Sequence, residues 1–163
     1  MITKTLYLIR HGKAEDHSFF KKDYDRNLVD KGIERSLLIS IKLKLDLQKE
    51  NLLVISSSAN RAIQTAKIYC EEINYPIQNI QLENGIYEAY YTEILKVINN
   101  VEDHIDTVLV FGHNPGLSDL TNYLCDSIIS LKTSHVAKIT LPKNFNFKEI
   151  SGSTCYLAAV ITE

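Results

Sequence analysis

At 163 residues the chain is long enough for one domain with a real core and too short for two comfortable ones. Its 45% hydrophobic and 23% charged content describes a soluble globular chain rather than a disordered one. A net charge of -2 gives no electrostatic footprint for nucleic acid or an anionic membrane, so any phosphate affinity must come from a few cations gathered in one cleft. Cys70, Cys125 and Cys155 are odd in number and not closely paired, which fits buried thiols in a reducing compartment. No stretch approaches the roughly 20 apolar residues that span a bilayer. The charged Arg10 follows a short apolar run, so no secretory h-region is read there and the expected location is the cytoplasm.

In chain order, strands and helices alternate. Leu6-Tyr7-Leu8-Ile9 reads as a first strand. Ile33, Leu37, Ile41 and Leu45 recur at i+4 spacing after Asp30-Lys31-Gly32, near one face of a helix. Leu52-Leu53-Val54-Ile55 is a second strand, and Ala62, Ala66, Tyr69 and Ile73 mark a second helix that Pro76 stops. Ile77 to Leu82 is a candidate short strand, followed by a third helix through Ile94, Leu95 and Ile98. Thr107 to Phe111 is another buried strand, and Leu117, Leu120 and Leu124 define a fourth helix starting near Pro115. Val136 to Leu141 and Cys155 to Ile161 flank the turn-rich Pro142-Lys143-Asn144, which suits an antiparallel arrangement at one side of the sheet. The continuous apolar strands suit a parallel sheet buried on both faces. The expected fold is a single-domain α/β/α sandwich over residues 1–163, with a mostly parallel central sheet and helices on both faces.

In such sheets ligands bind at the carboxyl ends of the strands. Arg10-His11-Gly12 ends the first strand, where an imidazole can attack phosphorus and a guanidinium can hold phosphate oxygens. Ser56, Ser57 and Arg61 follow the second strand, with Arg61 in the first turn of its helix. Gly112, His113 and Asn114 follow the strand that ends at Phe111. Three segments thus deliver two arginines and two histidines to one sheet edge. Asn114 has two readings, a cap for the next helix or a substrate contact. His17, His104 and His135 show no metal-ligand spacing, and no metal or cofactor is expected. The loop Phe19–Tyr24, which includes Lys21-Lys22-Asp23, is expected over the cleft, where it contacts a protein substrate or covers the core.

These motifs resemble the histidine phosphatase (phosphoglycerate mutase-like) superfamily. Leu8-Ile9-Arg10-His11-Gly12-Lys13-Ala14-Glu15 resembles its signature, and Arg26-Asn27-Leu28-Val29-Asp30-Lys31-Gly32 its segment before the first helix. Ser56 to Ala66 is similar to the block carrying the second arginine. Val110 to Leu117 is similar to the block carrying the second histidine, in the form used by the SixA-like phosphohistidine phosphatases. The resemblance implies a phosphoglycerate mutase-like fold, with His11 as the nucleophile that becomes phosphorylated. It also implies that Arg10, Arg61 and His113 surround the transferred phosphoryl group. Positioned cations are what a phosphoryl transition state, with charge on its equatorial oxygens, calls for. The sequence departs from the family pattern at Ser58, usually proline, and at Lys132-Thr133-Ser134, commonly a threonine-glycine pair. Phe147 stands near where the family often has tryptophan.

Relatives acting on phosphomonoesters use an acidic residue after the second helix, and Glu88, in Ile86-Tyr87-Glu88-Ala89, is the nearest candidate general acid. A sugar alkoxide needs a proton donor to leave, whereas the nitrogen of a phosphohistidine leaves far more easily. The expected function is therefore a metal-independent phosphatase for phosphohistidine on a phosphotransfer protein in signal transduction. The alternatives are a phosphatase for a small phosphomonoester and, in another class, a non-catalytic phosphate-binding module.

Overall fold

Strict alternation along the buried strands sets the layers. The computed structural model describes residues 3–163. Its strands are β1 (Thr5–Arg10), β2 (Leu52–Ser56), β3 (Gln81–Leu82), β4 (Thr107–Gly112), β5 (Val136–Thr140) and β6 (Tyr156–Ile161). Its α-helices are α1 (Asp30–Asp46), α2 (Asn60–Ile73), α3 (Tyr91–Asn99) and α4 (Gly116–Cys125). Successive strand residues point to opposite faces. Tyr7, Ile9, Val54, Leu109 and Phe111 therefore pack on Ile39 and Leu43 of α1 and on Ala66 and Tyr69 of α2. Leu6, Leu8, Ile55, Val108 and Val110 pack instead on Ile94 and Ile98 of α3 and on Leu117, Leu120 and Leu124 of α4. The result is the expected α/β sandwich with helices on both faces.

The sheet order is β3-β2-β4-β1-β5-β6, and β5 alone runs against the other strands. In the parallel register Arg10 pairs with Gly112, and Ser56 with Phe111. The residues that follow, His11, Ser57 and His113, therefore emerge at one level of one edge. The Ile77 to Leu82 segment is mostly not a strand: Ile77–Asn79 forms a 3-10 turn, and two residues remain in β3.

The i+4 row of α1 lies on the outward side. Ile33, Leu37 and Ile41 are nearly half exposed and Leu45 is 85% exposed, while Gly32, Ser36, Ile39, Ser40 and Leu43 face inward. Close backbone approach decides this orientation. A Cβ on Gly32 would lie 2.2 Å from the Lys13 carbonyl oxygen, and the Ser36 hydroxyl meets that of Ser134 at 2.9 Å. Small residues must face the loops that follow β1 and precede β5, so the Ile33-Leu37-Ile41-Leu45 row turns out while Ile39 and Leu43 meet the sheet.

Candidate active site

His11 leaves β1 with its amide donating to the Gly112 carbonyl at 3.0 Å. Its Nδ1 lies 2.7 Å from the Gly12 carbonyl oxygen. A carbonyl only accepts, so Nδ1 carries the proton and Nε2 keeps its lone pair. The Arg61 Nε–H donates to that same Nε2 at 3.4 Å, which agrees with the assignment. Burial holds the imidazole down at about 4, and the Arg61 and Arg10 charges act in the same direction against the Gly12 hydrogen bond. His11 is thus neutral at pH 7 and presents a nucleophilic nitrogen.

Arg61 lies in the first turn of α2, with its side chain almost entirely buried. Its Nη1 and Nη2 donate to the Asp23 carbonyl and carboxylate at 2.7 and 3.1 Å. His113 follows β4, and its ring centroid lies 5.2 Å from that of His11. Burial lowers His113 to about 3, helped by His11 and Arg61, so it too is neutral. Its Nε2 is 2.8 Å from the Ser57 hydroxyl. Arg10 donates through Nη1 to the Leu131 carbonyl at 2.9 Å. Among the described residues, Arg10 Nε and His113 Nδ1 are buried without a hydrogen-bond partner. An orphaned buried polar group costs about 1–3 kcal/mol, which an anionic ligand accepting from Arg10 Nε–H, and from His113 Nδ1 in the tautomer protonated there, would offset. The four motif residues therefore gather at one cationic site with an unused Arg10 donor, suited to a tetrahedral oxyanion.

The other sequence candidates fall outside this contact set. Asn114 donates to the same Leu131 carbonyl at 2.8 Å, and its Oδ1 accepts from the Ser118 hydroxyl at 2.8 Å and its amide at 3.3 Å. Both ends of the amide thus tie the start of α4 to the Leu131 segment. Glu88 is exposed, with a left-handed φ of 54°, and forms no side-chain hydrogen bond among the described residues. Phe19 and Phe20 are fully exposed, so this loop does not cover the core as one reading of it held. They cap a turn whose base is held by Lys21 donating to Glu15 at 2.8 Å, with the exposed His17 ring 3.6 Å from Asp23. No group of three or more His, Cys, Asp or Glu among the described residues is arranged around a metal position.

Asp23, Arg26 and Tyr87 belong to the pocket wall and were not singled out as site residues from sequence. Asp23 Oδ1 accepts from Arg26 Nε and Nη2 at 3.0 and 2.7 Å, and Oδ2 accepts from the Tyr87 hydroxyl at 2.6 Å. The Tyr87 ring meets His113 edge-on at 5.6 Å and lies 5.9 Å from the Arg61 guanidinium carbon. A signal did exist, since Asp23 stands in the loop expected over the cleft, Arg26 opens the segment before the first helix, and Tyr87 adjoins the candidate acid. The departures at Ser134, Ser58 and Phe147 are accommodated. Ser134 takes φ 68° without glycine, and its amide still reaches the Arg10 and His11 carbonyls at 3.2 and 3.1 Å. The Ser58 hydroxyl donates to Asn84 Oδ1 at 2.8 Å, and Phe147 is fully buried in the core.

A model of the histidine phosphatase superfamily (branch 1) matches residues 6–116. The chain belongs to this superfamily. Solved structures of like fold include the Nakamurella multipartitia protein described as a SixA phosphohistidine phosphatase. That protein is 21% identical with a TM-score of 0.82, and the match covers 98% of this chain and 96% of that one. A protein histidine phosphatase SixA complexed with tungstate is similar at 21% identity and TM-score 0.81, covering 97% and 96%. A phosphoglycerate mutase from Bacillus anthracis str. Sterne shares the fold at 19% identity and TM-score 0.67, covering 94% and 92%. No curated protein matches the sequence. The histidine phosphatase fold thus holds over nearly the whole chain, with the four motif residues at the carboxyl edge of its sheet.

Proposed function

We propose that this superfamily member is a phosphatase that acts through a phosphohistidine on His11 and takes its phosphoryl group from phosphohistidine on a phosphotransfer protein. The observation that carries the reading is the unprotonated Nε2 of His11 beside the Arg61 guanidinium, in a wall that offers no ready proton donor. Asp23, the carboxylate bonded to Arg61, is held ionised. Burial pushes its pKa up, but hydrogen bonds from Tyr87 and Arg26 and the Arg61 charge bring it well below the usual range. Burial and the Asp23 hydrogen bond push the Tyr87 hydroxyl up to about 12. Glu88 stands outside on the surface. A leaving group that departs without strong acid assistance fits this wall, and the nitrogen of a phosphoimidazole is one.

In the first step the Nε2–P bond forms as the donor's N–P bond breaks and the donor imidazole leaves with a solvent proton. Arg10, Arg61 and His113 stabilise charge on the equatorial oxygens. Water then cleaves the Nε2–P bond and phosphate departs. The exposed Phe19–Phe20 turn, which lies next to Asp23 through His17, supports a protein rather than a metabolite as donor. The reading is tested by comparing rates on a phosphohistidine protein with rates on a panel of phosphomonoesters. Faster turnover of the phosphohistidine protein is expected. Preference for a monoester moves the assignment to a small-molecule phosphatase, and phosphate binding without any turnover moves it to a binding module.

A further inference from the structure

Arg61 reaches His11 on a long side chain, and something must fix the direction of its N–H groups. We propose that Asp23 is the positioning residue that aims Arg61 at the phosphoryl group on His11. This rests on the phosphoryl-transfer reading above.

The geometry is specific. Asp23 binds two different nitrogens of the guanidinium with two different groups. Its backbone carbonyl takes Nη1–H at 2.7 Å, and its carboxylate takes Nη2–H at 3.1 Å. A guanidinium is planar and rigid, so fixing both terminal nitrogens also fixes the heading of Nε–H, which meets His11 Nε2 at 3.4 Å. A free arginine would spread over many rotamers, at about 2 kcal/mol of side-chain entropy.

Asp23 is in turn held from two further sides. Arg26 grips Oδ1 through Nε and Nη2, and the Tyr87 hydroxyl donates to Oδ2 at 2.6 Å. Arg26 balances the Asp23 charge, which leaves the positive charge of Arg61 available to phosphoryl oxygens. With its carboxyl held well below the usual range, Asp23 remains an acceptor for Arg61 across the neutral pH range and supplies no proton to a leaving group. A residue that served only to neutralise a buried arginine would need neither the backbone clamp nor the Tyr87 and Arg26 braces.

The test is a double-mutant cycle read as phosphoenzyme formation and turnover with phosphoramidate, a small P–N donor, with thermal melting as the folding control. Asp23→Ala is expected to lower kcat by about 10²-fold with little change in KM, as for a misdirected catalytic group. Asp23→Asn keeps an oxygen acceptor for Nη2 and is expected to recover most of that loss. In an Arg61→Ala background, Asp23→Ala is expected to cost almost nothing, because the group it aims is gone. An Asp23→Ala cost equally large in both backgrounds, or wild-type kcat in the single variant, overturns the proposal. Where Asp23→Ala does not fold, Tyr87→Phe takes its place in the cycle. A few-fold kcat loss confined to the Arg61 background is then expected, and equal losses in both backgrounds or no loss in either overturn the proposal. A wild-type protein that forms no phosphoenzyme with any phosphoryl donor overturns the phosphatase reading itself, and this proposal with it.

Discussion

The Arg61 Nε–H rests 3.4 Å from His11 Nε2, on the lone pair that faces the pocket. The two groups proposed to share charge and bonding with a phosphoryl group are thus already in register. In the proposed reaction an incoming phosphoryl group exchanges this contact for one between Arg61 and its own oxygens. On that reading Arg61 and His11 operate as one unit, and their substitutions are expected not to be additive.

Replacement of His11 is expected to abolish turnover. Wild-type protein incubated with a phosphorylated donor should yield an acid-labile, base-stable phosphoenzyme that His11→Ala lacks. An equally labelled His11→Ala protein would place the intermediate on another residue.

Arg61→Lys keeps the charge and loses the planar fork that Asp23 grips. Loss of one positioned electrostatic contact is worth about 10²–10³-fold in kcat, and a drop of that order is expected, with the melting temperature little changed. Steady-state kinetics at saturating donor checks this.

Acid should affect activity and stability over different ranges. The proposed reaction needs neutral His11, whose pKa is lowered to about 4, so kcat/KM corrected for donor protonation should stay level down to about pH 5 and fall below pH 4. Stability should decline earlier. An unfolded histidine binds a proton near its ordinary pKa of about 6.5, while folded His11 and His113 resist until about 4 and about 3. The unfolded state therefore holds more protons throughout that window, and unfolding free energy should fall as pH drops from about 6.5 toward 4. Urea melts at several pH values measure the slope, and a flat profile would contradict the neutral buried pair.

The Phe19–Phe20 turn should matter for a protein donor and not for a small one. A Phe19→Ser/Phe20→Ser variant is expected to lose about tenfold or more in kcat/KM on a phosphohistidine protein, as for removal of exposed aromatic anchors. Its rate on phosphoramidate should remain that of the wild type. Equal rates of variant and wild type on both donors would remove the turn from substrate recognition.

Gly32→Ala tests the packing that orients α1. The added Cβ would fall 2.2 Å from the Lys13 carbonyl, which is backbone and has little room to yield. Destabilisation of about 1–3 kcal/mol is expected despite alanine's better helix propensity, and denaturant titration measures it.

The contrast between α1 and α2 shows how far local pattern carries. Ala62, Ala66, Tyr69 and Ile73 of α2 are buried along the row their spacing marks, because apolar bulk meets the sheet there. In α1 the equally regular Ile33-Leu37-Ile41-Leu45 row faces out, because Gly32 and Ser36 must fit against loop backbone. Periodicity reveals a helix in both cases. Which face turns inward depends on what lies opposite, and the chain's own spacing does not record that.

By itself, the sequence determined the strand–helix order and the convergence of Arg10, His11, Arg61 and His113 on one edge. Each of these residues ends a buried apolar strand, directly follows one or opens the helix after it, so local pattern and sheet topology are enough to place it. Only the tertiary structure decided how Arg61 is aimed. Its partner Asp23 is 38 residues away, and Tyr87 reaches Asp23 across 64 residues. Contacts between side chains that far apart arise when packed loops bring them within hydrogen-bond range, and no spacing along the chain encodes that distance.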